Sequence, residues 1–247
     1  MAEDRHVPLQ GASNMRDLGG LPLRNGGRGR RGRVFRSASL NGLTAADHDR
    51  LRALGLGTVV DLRSPSEQRD TPSNLPPGLA VIAPGDGGAG PQPGARRNRR
   101  PHTEAAAIEM MRQGYQTYPH RMAAATKALF QAVADADAGA ILVHCAAGKD
   151  RTGFVAAMLL QTVGASAETV MQDYLATNLM WDRKSDRISF LPKPAKEAIF
   201  STRTEYLQAA LETLLGEFGS TEDYLAKMCG IDTATVSGVR AALIEAR

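Results

Sequence analysis

Four short apolar runs, VFRSA (34–38), TVVDLR (58–63), LAVIAP (79–84) and AILVHC (140–145), do most to restrict the fold of this chain. None alternates cleanly between apolar and polar residues. Strands with one wet face alternate, whereas strands covered on both faces do not, so these runs predict a mainly parallel sheet between helices. Parallel strands need crossover connections, and the intervening sequence carries helical signals. Thr44 opens TAADHDRLRALG as an N-cap, and Gly55 closes it. Helical periodicity runs from about Thr103 to Ala138 with a break near Pro119, and almost everything after Gly153 reads as helix. The expected fold class is α/β: a central, mainly parallel sheet flanked by helices, with a helical lid segment and a helical C-terminal third. At 247 residues the chain can bury one sizeable core. Residues 1–247 are therefore expected to be a single domain, with 85–120 a flexible loop and lid and 194–247 the C-terminal helical part.

The fourth run leads into HCAAGKDRTG (144–153). A cysteine meant only for a hydrophobic core would not be followed by lysine, aspartate and arginine. A loop between a strand and a helix N-terminus turns its backbone N–H groups inward and binds anions. Ala146, Ala147, Gly148, Lys149, Asp150 and Arg151 are the expected phosphate-binding residues. The same electropositive setting favours the thiolate form of Cys145, the expected nucleophile. Arg151 can fold back and grip two phosphoryl oxygens with one planar group. Gly148 permits a turn that other residues would strain against. Thr152 can offer its hydroxyl to the sulfur when the thiolate departs, and His144 is expected to orient the loop and favour the thiolate. Together these parts predict attack on phosphorus through a cysteinyl-phosphate.

Such a reaction needs a carboxylic acid near the leaving oxygen. Asp86, in the glycine-rich stretch after LAVIAP, is the expected acid, with an ordinary turn residue as the alternative. Asp150 has three readings: pairing with Arg16 or Arg63 to brace the loop, acting as the acid itself, or tuning specificity by repulsion. Arg36 closes a strand where ligands gather in α/β sheets, and it divides between substrate binding and support. Asp61 reads as a buried brace, and Arg63 as able to reach substrate. Asn14, Arg16 and Asp17 are expected to knit the N-terminal segment to the sheet. Tyr115 and Tyr118 fall near the expected lid, and Cys229 is expected to pack in a helix.

The remaining composition mainly excludes. The chain is 43% apolar and 23% charged, with no run near the ~18 residues of a membrane span. The start, MAEDRHVPLQG, shows no classical signal peptide, so a cytoplasmic protein is expected, or one exported by another route. Two cysteines make no disulfide framework. Five histidines lack ligand spacing, so no metal and no other cofactor is expected. The net charge of +4 is concentrated in Arg24, Arg28, Arg30, Arg31, Arg33 and Arg36, and in Arg96, Arg97, Arg99 and Arg100. These clusters fit solvated loops, attraction of acidic substrates, or peripheral contact with anionic lipid. Without interleaved aromatic residues they give no reason to expect nucleic acid.

HCAAGKDRTG resembles the signature loop of the cysteine-dependent protein tyrosine phosphatase superfamily. With NMRDLGG (14–20), VFRSASL (34–40) and TVVDLRSPSE (58–67), in that order, it resembles the bacterial atypical family typified by mycobacterial PtpB. The stretch from TRTEYLQAAL through IDTATVSGVRAAL is also similar. The resemblance covers most of the chain outside the glycine-arginine loops. It implies a phosphatase fold acting on phosphotyrosine, and often on phosphoserine, phosphothreonine and phosphoinositides. Lys149 resembles the lysine of lipid-phosphatase loops, which would make a phosphorylated protein or a phosphoinositide the partner. Two other functions compete: a phosphate receptor without turnover, and a rhodanese-like sulfurtransferase. The intact Cys145, Arg151 and Thr152 speak against the first, and the HC and RTG flanks against the second.

Overall fold

The computed structural model describes residues 3–84, 101–183 and 190–245. Strands β1 (Arg16–Asp17), β2 (Val34–Ser37), β3 (Leu56–Asp61), β4 (Ala80–Ile82) and β5 (Ala140–His144) form one sheet in the order β1-β2-β5-β3-β4. β2, β5, β3 and β4 are parallel, and β1 pairs antiparallel with β2. The register sets His144 between Ser37 and Asp61, so three strands end in one row with Cys145 next along the chain.

Two apolar cores explain why the runs do not alternate. Val34, Val60, Ile141 and Val143 enter the larger core, while Phe35, Val59, Ala140 and Leu142 enter the smaller one on the other face. Both sides of each central strand are thus covered. LAVIAP departs from that expectation: β4 pairs with β3 at the sheet edge, and Val81 is 54% exposed. Its apolar residues signalled a strand but not its place in the order.

The helices are α1 (Ala45–Ala53), α2 (Pro65–Asp70), α3 (Glu104–Gln116), α4 (Tyr118–Arg121), α5 (Ala123–Ala134), α6 (Asp150–Thr162), α7 (Ala167–Leu175), α8 (Thr177–Met180), α9 (Lys193–Phe200), α10 (Thr204–Phe218), α11 (Thr221–Lys227) and α12 (Thr233–Leu243). Local chemistry sets their ends. Thr44 and Asp47 form a capping box at the start of α1, and Gly55 turns the chain beyond it at φ +67°. Ser64 and Glu67 do the same for α2, with Pro65 at its first position. α6 is buried on nearly every side, from Arg151 through Leu160. A helix apolar all round belongs in a core, and this one begins directly on the cysteine loop.

The expected lid receives a partial correction. Residues 85–100, with Asp86 and Arg96 through Arg100, lie outside the described residues. The segment 103–114 is helical, as α3, but Ala107, Met111 and Tyr115 bury one face of it against α9 and α10. Tyr115 and Tyr118 are completely buried, with ring centroids 4.8 Å apart, so they pack rather than face a substrate.

The first arginine cluster is also placed. Arg24, Arg28, Arg30, Arg31 and Arg33 precede Val34, at the amino end of β2, whereas the cysteine loop follows the carboxyl end of the parallel β5. Four residues of strand, about 13 Å, separate those ends. Arg28 donates to Gly20 O, and Arg31 pairs with Asp4. These arginines do not line the loop. Among the described residues no helix is long and apolar enough to cross a membrane, and no group of three His, Cys, Asp or Glu could hold a metal.

Candidate active site

β5 delivers Cys145, 3% exposed, to the start of the loop, and α6 carries the chain away. Gly148 makes the turn at φ +62°. Its backbone lies so close to β2 that a Cβ there would sit 2.2 Å from Ser37 O. The loop carbonyls are tied outward. Ala146 O accepts from Ser39 N at 3.0 Å, and Ala147 O accepts from Asn14 Nδ2 at 3.0 Å. Gly148 O takes two donors, Asn14 Nδ2 at 3.0 Å and Arg36 Nη2 at 2.8 Å. Because each peptide plane fixes its N–H opposite its C=O, the N–H groups turn the other way. Among the described residues none of the N–H groups from Ala146 through Arg151 donates to a protein acceptor. Asn14 itself stands at φ +62° and holds Met180 O through its N–H.

Arg151 is held from the side by α2. Its Nη1 donates to Glu67 Oε2 at 2.7 Å and to Leu62 O at 3.1 Å, and its Nη2 donates to Glu67 Oε1 at 2.8 Å. Those bonds use both hydrogens of Nη1 and one of Nη2. Among the described residues the Nε–Nη2 edge meets no acceptor, and it is the side-on fork that matches two oxygens of a tetrahedral anion. Burial works against the charge of Glu67, yet the Arg151 and Ser64 bonds outweigh it and hold the carboxyl at about 2. Sequence reading missed Glu67; its signal was the Ser-x-x-Glu capping box after DLR (61–63), which names a helix start but no distant partner.

His144 is completely buried, its Nδ1 3.2 Å from Cys145 O and its Nε2 3.6 Å from Asp61 Oδ2. Burial outweighs Asp61 and pushes its pKa down to about 4, so the ring is neutral at physiological pH. The linkage has a definite sign. Between about pH 6.5 and 4 the unfolded histidine takes up a proton that the folded one refuses, so stability is full above 6.5 and falls on acidification, by about 3 kcal/mol at most. From pH 6.5 to 5 the melting temperature should drop by about 5 °C through this group. Scanning calorimetry at both pH values checks it, and an equal drop in His144→Asn would remove His144 as the cause.

Asp61 and Arg63 satisfy one another. Arg63 Nε and Nη2 donate to the Asp61 carboxylate, and its other donors go to Thr71 O at 2.6 Å and Ser73 Oγ at 2.8 Å. Arg63 is 1% exposed, so the expectation that it reaches substrate gives way to a buried brace. Asp150 pairs with neither Arg16 nor Arg63. Its Oδ1 accepts from Tyr115 Oη at 2.6 Å and lies 3.3 Å from Lys149 Nζ. Lys149 is 2% exposed, and its ammonium donates to Ile199 O and Ser201 O, at the end of α9, near the Trp181 ring. Burial lowers its pKa against the pull of Asp150. Thr152 Oγ1 is buried with no hydrogen-bond partner among the described residues, so the expected bond to sulfur is not formed here.

Arg16 and Arg36 belong to one buried network. Arg36 Nη1 donates to Asp173 Oδ2 at 2.6 Å, and Arg16 Nε to Asp173 Oδ1 at 3.1 Å. Arg16 also donates to Asn14, which sits on the loop carbonyls. Both arginines support rather than line the loop. Asp173 gave no signal in the sequence, since its partners stand at least 137 residues away.

A cysteine at the head of a loop whose N–H groups from Ala146 through Arg151 meet no protein acceptor among the described residues, followed by an arginine with one edge open, is chemically suited to a tetrahedral oxyanion. Residues 7–245 match the model of the Tyrosine phosphatase family, and the chain belongs to that family. It is an enzyme that hydrolyses phosphotyrosine. The triple specificity protein phosphatase PtpB of Mycobacterium tuberculosis is 33% identical over 276 residues, covering 96% of this chain and 98% of that one. A Cupriavidus necator protein provisionally named a tyrosine-protein phosphatase is 33% identical over 235 residues, covering 92% and 85%. Among solved structures, Pseudomonas aeruginosa TpbA aligns at a TM-score of 0.32 and 17% identity, covering 74% of this chain and 87% of that one.

Proposed function

We propose that Cys145 is the nucleophile of a double displacement at phosphorus, and that the loop from Ala146 to Arg151 binds the phosphoryl oxygens. The observation that carries this reading is the set of unengaged loop N–H groups beside the free Nε–Nη2 edge of Arg151. The Cys145 sulfur bonds to phosphorus as the P–O bond to the tyrosine breaks. The departing phenolate oxygen takes a proton from the Asp86 carboxylic acid. The Asp86 carboxylate then takes a proton from water, whose oxygen attacks phosphorus and breaks the S–P bond. Orthophosphate leaves and the thiolate is restored. Negative charge spreads over the equatorial oxygens during each displacement, where fixed dipoles and a fixed guanidinium stabilise it without reorganising. Asp86 is the proposed acid on sequence grounds: it follows β4 by four residues, and β4 runs parallel to β3 and β5. Asp150 is committed to Tyr115 and Lys149 and braces the first turn of α6. Thr152, its hydroxyl unpartnered, is free to turn toward the departing sulfur.

Phosphotyrosine in proteins is the proposed main substrate. The mycobacterial relative is named a triple specificity protein phosphatase, which supports a set wider than phosphotyrosine, and the family resemblance makes phosphoserine, phosphothreonine and phosphoinositides the candidates. The commitment of Lys149 to α9, and the distance of Arg24 to Arg33 from the loop, favour the peptide over the lipid. Rapid quenching with an aryl phosphate, followed by mass spectrometry, tests the mechanism. The peptide containing Cys145 should gain one phosphoryl group, and Asp86→Asn should slow turnover most for alkyl leaving groups. A phosphoryl group on any other residue, or none during turnover, would remove Cys145 from the role.

A further inference from the structure

Behind the loop, three guanidinium groups share one carboxylate. Arg5, Arg16 and Arg36 are each 4% exposed or less, and all pair with Asp173 of α7, itself 1% exposed. The nearby strand residue Asp17 gives its oxygens to the N–H groups of Gly19 and Gly32. Asp173 is thus the acceptor that fixes two arginines in place, and each leads to the loop. Arg36 holds Asp173 Oδ2 with Nη1 and Gly148 O with Nη2. Arg16 donates from Nε to Asp173 Oδ1, from Nη2 to the backbone Asp173 O and from Nη1 to Asn14, and Asn14 Nδ2 donates to both Ala147 O and Gly148 O. α7 lies close enough to act this way: a Cβ on Gly153 would meet the Tyr174 ring at 2.9 Å and Arg36 Nη2 at 3.6 Å.

We propose that Asp173 is a positioning residue for phosphotyrosine hydrolysis, setting the Ala147 and Gly148 carbonyls outward through Arg36 and through the Arg16–Asn14 pair. The inference rests on the reading that the loop binds the phosphoryl group. Turning either peptide would withdraw an N–H from the anion, and a charge-assisted hydrogen bond accounts for about ten- to hundredfold in binding.

Asp173→Asn separates positioning from field. The substitution removes a negative charge behind an anion site, so an electrostatic role alone would tighten anion binding. A positioning role loosens it. Vanadate inhibition and kcat/KM for an aryl phosphate are measured where circular dichroism shows the variant folded. Vanadate should bind about tenfold more weakly or worse, with kcat/KM falling in parallel. Unchanged or tighter vanadate binding overturns the proposal. Should Asp173→Asn not fold, Arg36→Lys decides, because it keeps the charge while one ammonium cannot span both Asp173 and Gly148 O. Vanadate binding as in the wild type would again overturn it. A wild-type protein indifferent to vanadate, with Cys145→Ser fully active, would instead strike down the loop reading and this inference with it.

Discussion

Gly148→Ala should lower kcat/KM by about 10²- to 10³-fold while leaving a folded protein. Two effects act on the same residue. At φ +62° a side chain is strained by about 1–3 kcal/mol. The larger effect is collision: the new Cβ would lie 2.2 Å from Ser37 O, 2.4 Å from Ser37 C and 2.7 Å from Ala38 N. All three are backbone atoms at the end of β2, which β5 holds in register, so the loop must move and the strand stays. A shift of about an ångström breaks the Asn14 and Arg36 bonds to Gly148 O and misaims neighbouring N–H groups, and displacement of that size costs on the order of 10² in rate. The control is Gly164→Ala, at φ +92° with open space around it. It should lower the melting temperature by several degrees and spare kcat/KM. Equal activity loss in both variants would mean that strain, not the loop approach, is responsible.

What the sequence revealed and what it hid follow from the range of the interactions. The central strands were legible because both faces of β2, β3 and β5 are covered, and continuous burial writes continuous apolar runs. β4 misled because an edge strand can carry the same residue types with one side open. The loop was legible because HCAAGKDRTG holds its chemistry within ten residues. Its supports were legible only in part: support was one reading of Arg36 and knitting to the sheet the reading of Asn14, but neither named the loop as partner. Asn14, Arg36, Glu67 and Asp173 reach it from 84 or more residues away or through one another, and no local pattern records such contacts. Arg63 and Lys149 show the converse. A cation in a site motif invites assignment of its side chain to an anionic substrate, yet the Arg63 guanidinium is engaged by Asp61 and Thr71, and the Lys149 ammonium by Ile199 O and Ser201 O.

The other large expected effect concerns Arg151 and Glu67 as a unit. Arg151→Lys should lower kcat/KM by about 10²- to 10³-fold, since one ammonium cannot face Glu67 and two phosphoryl oxygens at once. Glu67→Gln should cost about 10- to 100-fold although Glu67 touches no substrate, because the guanidinium loses the grip that aims its free edge. An additive double variant would show the loss of both amounts. Residues acting through one another are not additive, so Glu67→Gln in the Arg151→Lys background should change kcat/KM by less than about threefold. The acid limb of the pH profile separates this from a simple loss of charge. With Glu67 held at about 2, the pair stays intact through pH 4, and acid loss of activity in the wild type must come from other groups. If the two substitutions proved additive, Glu67 would be a helix cap that happens to lie near Arg151, and the orientation of that arginine would have to come from Leu62 O and the turn of α6 alone.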